Sequence, residues 1–228
     1  MRGLCAVRGE SDVKLYNWQI APNCRRVRMF ILEKGMDLPE IEEVGDQSHL
    51  SDIRLSDKYV KIWSHALVPM LETDDGFRIG EAMAICRFLE DEHPEPNLMG
   101  RDGREKACVE MWERRAHDEG IVGAGEAFRN AHPAFVDRGL PGSLEPVPQI
   151  PALVERGKGR VRRFYRKFDE QLKDNRFVAG DRFTVADITA LCSVDFGKFV
   201  GIPVPPDCPS LARWYEEVSA RPAAKASV

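Results

Sequence analysis

The turn Ala21-Pro22-Asn23-Cys24 lies where a predicted strand ends and a predicted helix begins, and it carries a thiol. A cysteine at such a junction is either a reactive thiol or a small buried residue. Cys24 shares a predicted helix face with the apolar Val27 and Ile31, so we expect it to belong to the core. Asn23 suits the N-cap of the following helix, because its side chain can accept a backbone N–H.

Other reactive and metal-binding patterns do not occur in the sequence. The five histidines have no HxxxH or HExxH spacing, and there is no Walker loop or GxSxG elbow. The six cysteines are scattered without a CxxC pair, which favours reduced thiols in the cytoplasm over a disulfide scaffold. We therefore expect no metal cofactor.

The composition is that of an ordinary globular protein. The chain has 228 residues, of which 43% are hydrophobic and 31% charged, and its formal net charge is −4. Slight acidity argues against a nucleic-acid binder, which usually has a strong basic excess. No apolar run approaches the ~18 residues that span a bilayer. We expect neither nucleic acid nor a membrane as partner, and we expect residues 1–12 to be a flexible extension without a secretory signal.

One basic segment could instead suggest a nucleic-acid-binding surface. Seven of the residues 156–167 are Lys or Arg, and they are interleaved with Phe164 and Tyr165. Basic and aromatic residues alternate in this way in nucleic-acid patches. We favour a solvated helix face whose aromatic residues turn to the core.

The first part of the chain alternates strands with helices. Strands are predicted at 13–18, 38–44, 67–73 and 77–80, and helices at 23–35 and 81–92, with residues 48–63 ambiguous. Asp74-Asp75-Gly76 is a hairpin turn between the last two strands. The order is therefore β-α-β, an uncertain segment, and β-β-α.

The rest of the chain is predicted to be helical. Residues 94–103 are rich in Pro and Gly and form a linker, after which helices are predicted at about 104–129, 152–174 and 209–220. In FTVADI (183–188), Thr184 and Asp187 form a capping box that begins a further helix. The Pro-rich loop at 133–151 is long enough for a functional role, such as covering a binding site.

Four stretches together resemble the cytosolic glutathione S-transferase family: KLYNWQIAPNCRRVRM, the pair Val68–Pro69, IGEAMAICRFLE and FVAGDRFTVADI. The similarity covers about residues 13–222. It implies an α/β thioredoxin-like N-terminal domain at 13–93 and an all-α C-terminal domain at 104–228. It also implies glutathione as co-substrate, a homodimer and a cytoplasmic role in detoxification.

The resemblance implies a glutathione site made largely of backbone groups. In the family the residue before the proline, here Val68, pairs its N–H and C=O with the cysteinyl part of glutathione, and Pro69 is typically cis. Glu81 matches an acidic residue that meets the ammonium of glutathione, at a helix N-terminus that favours the neighbouring carboxylate. The Ser or Thr that usually follows is Ala82 here, so only its backbone N–H remains.

The thiol-activating position departs from the family. The hydroxyl of serine-type members falls on Ala21, and so does the first cysteine of the C-P-x-C turn, so that Cys24 matches the second, more buried cysteine. The turn is similar to the Thr-Pro-Asn turn of a bacterial class called Nu, whose asparagine falls on Asn23. The resemblance therefore implies that Asn23 is the catalytic residue, donating to the glutathione thiolate, with Ala21 in the glutathione site.

The family binds its electrophile between the two domains. The pocket is predicted to include Trp18 and Ile20 from the first domain and Trp112, Arg115 and Phe128 from the first long helix. Aromatic residues at helical spacing are also typical of a core, which is the alternative for Trp112 and Phe128.

Leu67 replaces the lysine or arginine that family members have before the Val-Pro pair. The glycine carboxylate of glutathione then needs another cation. The candidates are His49, Lys58, Lys61 and His65.

The activity implied by the resemblance is conjugation of the glutathione thiol to a hydrophobic electrophile. A glutathione-dependent disulfide or peroxide reductase is the alternative that the Nu-like turn suggests, with two glutathiones as reductant. The departures at Ala21, Leu67 and Ala82 favour a third alternative, a non-catalytic binding or scaffold protein that kept the fold.

Overall fold

A single mixed sheet organises the first part of the computed structural model, which describes residues 13–45 and 56–228. Its strands are β1 (Lys14–Asn17), β2 (Glu40–Glu43), β3 (Met70–Glu72) and β4 (Arg78–Gly80). Their order is β2-β1-β3-β4, with β1 parallel to β2 and the other pairs antiparallel. The four predicted strands are confirmed, each shorter than predicted.

Three helices accompany this sheet: α1 (Pro22–Glu33), α2 (Asp57–Ile62) and α3 (Ala82–Glu92). α2 falls in the ambiguous segment, where Ser56 caps it by accepting the N–H of Tyr59. α1 and α3 contact each other on the sheet and bury their apolar faces in the main core. The expected extension at residues 1–12 lies outside the described residues.

The second part is helical, with α4 (Gly103–Arg115), α5 (Val122–Arg129), α6 (Pro151–Lys173), α7 (Val185–Phe199), α8 (Pro209–Ser219) and α9 (Pro222–Ala226). A π-helical segment, Ala116–Ile121, separates α4 from α5 where one glycine-rich helix was predicted. Gly120 allows α7 to come close, because a Cβ there would lie 2.4 Å from that of Ser193. None of the described helices is both long and apolar enough to cross a membrane.

The C-terminal prediction needs one correction. α8 ends at Ser219, close to the end of the helix predicted at about 209–220, but a further helix that was not predicted, α9, begins at Pro222. Proline suits the first position of a helix, where its missing N–H would have no partner. The residue that stops one helix therefore starts the next.

The capping box at the start of α7 is confirmed. Thr184 accepts the backbone N–H of the third residue, and the Asp187 side chain accepts the N–H of Thr184 at 3.0 Å. Asp187 is fully buried and also accepts from Val178 N and from Trp214 Nε1, each at 2.9 Å. One carboxylate thus fixes the start of α7 and two neighbouring segments.

The basic segment of α6 forms a helix face whose aromatic residues turn to the core, which is the interpretation that the sequence favoured. Phe164 and Tyr165 are fully buried in the main core. The cations pair with acids of neighbouring helices, as in Arg156 with Glu126 and Lys167 with Glu119. Much of the positive charge is therefore compensated within the chain.

Candidate active site

The register of the sheet brings the predicted positions to one edge. Tyr16 of β1 lies opposite Met70 of β3, and Met70 lies opposite Gly80 of β4. The residues that follow β1, precede β3 and follow β4 therefore share that edge. These residues include Trp18, Val68, Pro69 and Glu81.

Val68–Pro69 offers a free stretch of backbone at this edge. The peptide bond between them is cis. The N–H and C=O of Val68 form no backbone hydrogen bond with any residue that the structure describes. Tyr59 fixes the preceding residue, since its hydroxyl donates to Leu67 O at 2.6 Å. An extended peptide could therefore pair with Val68 as an added strand.

Glu81 has a strained backbone beside this stretch. Its φ of 63° and ψ of 118° lie in a region that residues other than glycine rarely adopt, at a cost of about 1–3 kcal/mol. It precedes α3, whose first residue, Ala82, is buried. The Glu81 side chain is exposed. The site therefore presents a carboxylate next to the free N–H groups that begin α3.

The start of α1 corrects one expectation. Ala21, not Asn23, is the N-cap, and it has no side chain that could satisfy the first N–H groups. Asn23 is the second residue of the helix, after Pro22. Its side chain is therefore not used as a cap, and its amide remains for other contacts.

The orientation of the Asn23 amide is determined by Arg26. Arg26 Nη1 donates to Asn23 Oδ1 at 2.9 Å. A guanidinium only donates hydrogen bonds, so the oxygen and not the nitrogen of the amide must face it. The N–H₂ of Asn23 therefore points away from Arg26.

Cys24 is a core residue, as expected. It is fully buried, and its Sγ accepts the backbone N–H of Trp18 at 3.3 Å. Burial raises the pKa of the Cys24 thiol to about 12. A thiol with that pKa has almost no thiolate at neutral pH, which argues against a nucleophilic role.

An apolar cluster joins the two parts of the chain beside this turn. Its buried members are Trp18, Cys24, Ala134 and Phe135, and Ala21, Val68 and Phe128 pack against it. We call this set the interdomain cluster. The Trp18 indole Nε1–H is buried without a partner among the described residues, while Ile20 is 51% exposed. Trp18 and Phe128 therefore lie where the electrophile pocket was predicted, next to Ala21.

Trp112 and Arg115 do not lie in the interdomain cluster. Trp112 is in the main core, edge-on to Phe168 with 5.3 Å between ring centroids. Arg115 is exposed and stacks over Trp112 at 4.8 Å. The structure therefore favours the core alternative for Trp112, whereas Arg115 lies on the surface beside it, and their place in the pocket stays a prediction.

The loop after α5 supplies residues that the sequence did not identify. Phe135 is the last residue of a short 3-10 helix (Pro133–Phe135), and its ring lies 5.1 Å from that of Phe128. Further along, a Cβ at Gly142 would lie 3.2 Å from Leu67, so this loop reaches the residue before Val68. The length of the loop predicted a functional role, which stays a prediction, and its sequence did not indicate which residues turn inward.

Two further polar side chains lie beside Phe135. His132 Nδ1 accepts the N–H of Ala134 at 3.2 Å, so a neutral His132 carries its proton on Nε2. Arg129 stacks over Phe135 at 4.5 Å and donates to Arg138 O at 3.0 Å. Burial and the charge of Arg138 lower the pKa of Arg129 to about 10.

The cation for the glycine carboxylate is not identified by geometry. His49 lies outside the described residues. Lys58 forms an exposed ion pair with Glu42 at 2.9 Å, and His65 is exposed and stacks on Trp63. Lys61 is exposed. These assignments remain predictions.

Comparison with known proteins identifies the family. The N-terminal domain model of glutathione S-transferases matches residues 15–97, and the C-terminal domain model matches residues 131–222. Glutathione S-transferase 2 of Saccharomyces cerevisiae is 30% identical over 229 residues, covering 98% of this chain and 94% of that protein. The chain belongs to the glutathione S-transferase family.

Solved structures of glutathione S-transferases agree with this assignment. A Gtt2-class enzyme of Vibrio parahaemolyticus is 33% identical, with a TM-score of 0.76, covering 94% of this chain and 96% of that one. A glutathione S-transferase domain-containing protein of Marinobacter aquaeolei is 32% identical, with a TM-score of 0.78, covering 92% and 99%. The predicted fold, a thioredoxin-like domain followed by a helical domain, is confirmed. Members of this family bind glutathione.

Proposed function

We propose that the protein is a cytoplasmic, homodimeric glutathione S-transferase that conjugates glutathione to hydrophobic electrophiles. The observation that carries the proposal is the meeting of Val68 and Ala21 with Phe135 in the interdomain cluster. The free backbone that would hold glutathione therefore adjoins an apolar surface shared by both domains. A thiol and an apolar electrophile could be held side by side there, which is the positioning that conjugation requires.

Glutathione would bind mainly through backbone groups. Val68 would pair with its cysteinyl residue as an added strand beside cis Pro69. The free N–H groups at the start of α3, with that of Ala82 among them, would take the γ-glutamyl carboxylate. Glu81 would meet the ammonium group, which would explain an exposed carboxylate on a strained backbone.

Asn23 would stabilise the thiolate. Its N–H₂ points away from Arg26, and it stands in the first turn of α1, where backbone N–H groups are also free. Lowering the thiol pKa from ~8.5 to ~7 raises the thiolate fraction at pH 7 about 16-fold. The weaker base is about fivefold less nucleophilic, so the net gain is about threefold. Positioning must supply the rest of the rate enhancement.

Substitution of Asn23 tests this role. Asn23→Ala should raise the pKa of bound glutathione by about one to two, since a hydrogen bond to a charged group is lost. The pH-rate profile should move to higher pH by the same amount, so that the loss of rate shrinks in alkaline solution. Asn23→Asp has the same shape but no N–H and adds a negative charge, so it should raise the thiol pKa at least as much as Asn23→Ala. An unchanged profile in both variants would exclude the role.

The whole proposal is tested by titrating glutathione into the purified protein by calorimetry while thiolate absorbance is followed against pH. Binding with a lowered thiol pKa, followed by turnover of a chloronitrobenzene, is the expected result. Turnover of a glutathione disulfide adduct or a peroxide instead would favour the reductase alternative. Failure to bind glutathione would favour the non-catalytic alternative.

A further inference from the structure

A buried polar network joins the Asn23 amide to the helical domain. Arg26 is 3% exposed, and all three of its donor nitrogens are used. Nη1 donates to Asn23 Oδ1 at 2.9 Å, and Nε donates to Thr189 Oγ1 at 3.0 Å. Nη2 forms an ion pair with Glu113, whose side chain is also 3% exposed. Asn23 is thus connected to α4 and α7 through one guanidinium.

The donor and the acceptor of each hydrogen bond in this network are defined. The Thr189 hydroxyl donates to Glu113 Oε1 at 3.3 Å, so its lone pair is available for Arg26 Nε. Two side chains of the helical domain therefore hold the guanidinium in one plane. Its remaining donor is directed at Asn23, which lies three residues earlier on the same face of α1.

The charge of Arg26 also acts on the donor strength of the amide. A hydrogen bond from a cation to the amide oxygen draws electron density from the amide and strengthens its N–H groups as donors. Low exposure keeps water from screening this effect. A rotated amide would lose the effect and would present its oxygen to the thiolate.

We propose that Arg26, held by Glu113 and Thr189, is a positioning residue that orients and polarises Asn23 toward the glutathione thiol. The inference rests on the proposed role of Asn23. It means that the helical domain contributes to ionisation of the thiol through side chains that do not touch glutathione.

Thr189 is the best position for a test. Removing Arg26 would leave Glu113 buried without its cation and could prevent folding. Thr189→Val keeps the shape but removes the acceptor of Arg26 Nε, and Thr189→Ala removes the same acceptor with less crowding. Thr189→Ser keeps the hydroxyl and is the matched control. Thermal unfolding of each variant verifies that it is folded.

The pKa of bound glutathione is the decisive measurement. Raising that pKa from ~7 to ~8 lowers the thiolate fraction at pH 7 about fivefold but raises nucleophilicity about threefold, so the rate changes only about twofold. We expect Thr189→Val and Thr189→Ala to raise the thiol pKa by about 0.5 to 1, as a weakened charge-assisted hydrogen bond would. Thr189→Ser should leave it unchanged, and affinity for glutathione at acidic pH should be the same in all variants.

The Asn23→Ala background separates the possible results. If Thr189 acts through Asn23, Thr189→Val should cause no further change in the thiol pKa of that variant. An equal change in both backgrounds, or no change in either, would overturn the inference while leaving the role of Asn23 intact. If Asn23→Ala itself leaves the thiol pKa unchanged, the proposed role of Asn23 fails, and the inference fails with it.

Discussion

At the scale of single residues, the neighbours Asn23 and Cys24 differ in whether their side chains could act on a bound thiol. Cys24 is reactive by chemical type, but it is buried in the interdomain cluster, and burial raises its pKa to about 12. Asn23 is weaker chemically, but it is half-buried and its donors are oriented by Arg26. Location, more than intrinsic reactivity, therefore decides which of the two side chains could act on a bound thiol.

Cys24 should resist alkylation in the native protein. With its pKa near 12, only about one part in ten thousand is thiolate at pH 8. Mass-spectrometric mapping after iodoacetamide should find Cys24 unmodified in native protein and modified in urea. Cys108, which is half-buried, is the internal comparison and should react first. Equal labelling of both cysteines in the native state would contradict the assignment of Cys24 to the core.

At the scale of elements, the starts of α3 and of α7 have opposite effects on stability. α3 begins at a strained residue, Glu81, whereas α7 begins at a capping box in which Asp187 is fully buried. The first arrangement costs stability, and the second contributes it. Strain tends to persist at sites where function requires it.

Replacing Glu81 should separate strain from binding. Glu81→Gly relieves the backbone and should stabilise the protein by about 1 kcal/mol, because glycine adopts positive φ freely. Glu81→Ala keeps the strain and should leave stability unchanged. Both variants lack the carboxylate, so calorimetry should show weaker glutathione binding in both. Unchanged affinity for glutathione would show that Glu81 does not belong to the site. A less stable glycine variant would contradict the assignment of backbone strain to Glu81.

Asp187 should make the stability of the fold depend on pH. Burial raises its pKa to about 6, although donors such as Val178 N–H oppose this. The folded state therefore binds the proton more tightly than the unfolded state. The stability that this proton contributes is lost as pH rises from about 4 to about 6. Asp187→Asn is an isostere that does not titrate. In denaturant unfolding, the wild-type advantage over it should shrink by about 2 kcal/mol between pH 4 and pH 7. A constant difference would exclude the shift.

At the scale of the whole molecule, buried cations on α1 and directly after it connect this helix to segments distant in sequence. Arg26 reaches the helical domain, and Lys34 pairs with Glu90 of α3 at 2.8 Å while donating to Pro96 O beyond it. Arg28, which is 2% exposed, donates to Ser227 O at 2.8 Å. The C-terminal segment therefore completes the first domain from a distance of about two hundred residues in sequence.

Removal of residues 222–228 should destabilise both domains together. The deletion leaves Arg28 buried without two of its hydrogen bonds, at a cost of about 2–4 kcal/mol. Calorimetric unfolding should remain a single transition at lower temperature. Lys225→Ala, an exposed change on the same helix, should have no effect. Two separate transitions would show that the domains are not coupled in this way.

The sequence by itself determined two kinds of feature: local structures, and the fold implied by the resemblance to a family. The hairpin at Asp74-Asp75-Gly76 and the capping box at Thr184 depend on residues a few positions apart, so the sequence was sufficient to predict them. The resemblance likewise led to the fold that the comparisons confirm.

Only the tertiary structure decided which side chains share a site. Trp112 and Phe135 are both aromatic, yet packing put the first in the main core and the second in the interdomain cluster. The sequence did not single out Arg26, because its partners Glu113 and Thr189 lie far along the chain and only the fold brings them to it. Such choices depend on burial and charge compensation between distant segments, which a local pattern does not contain.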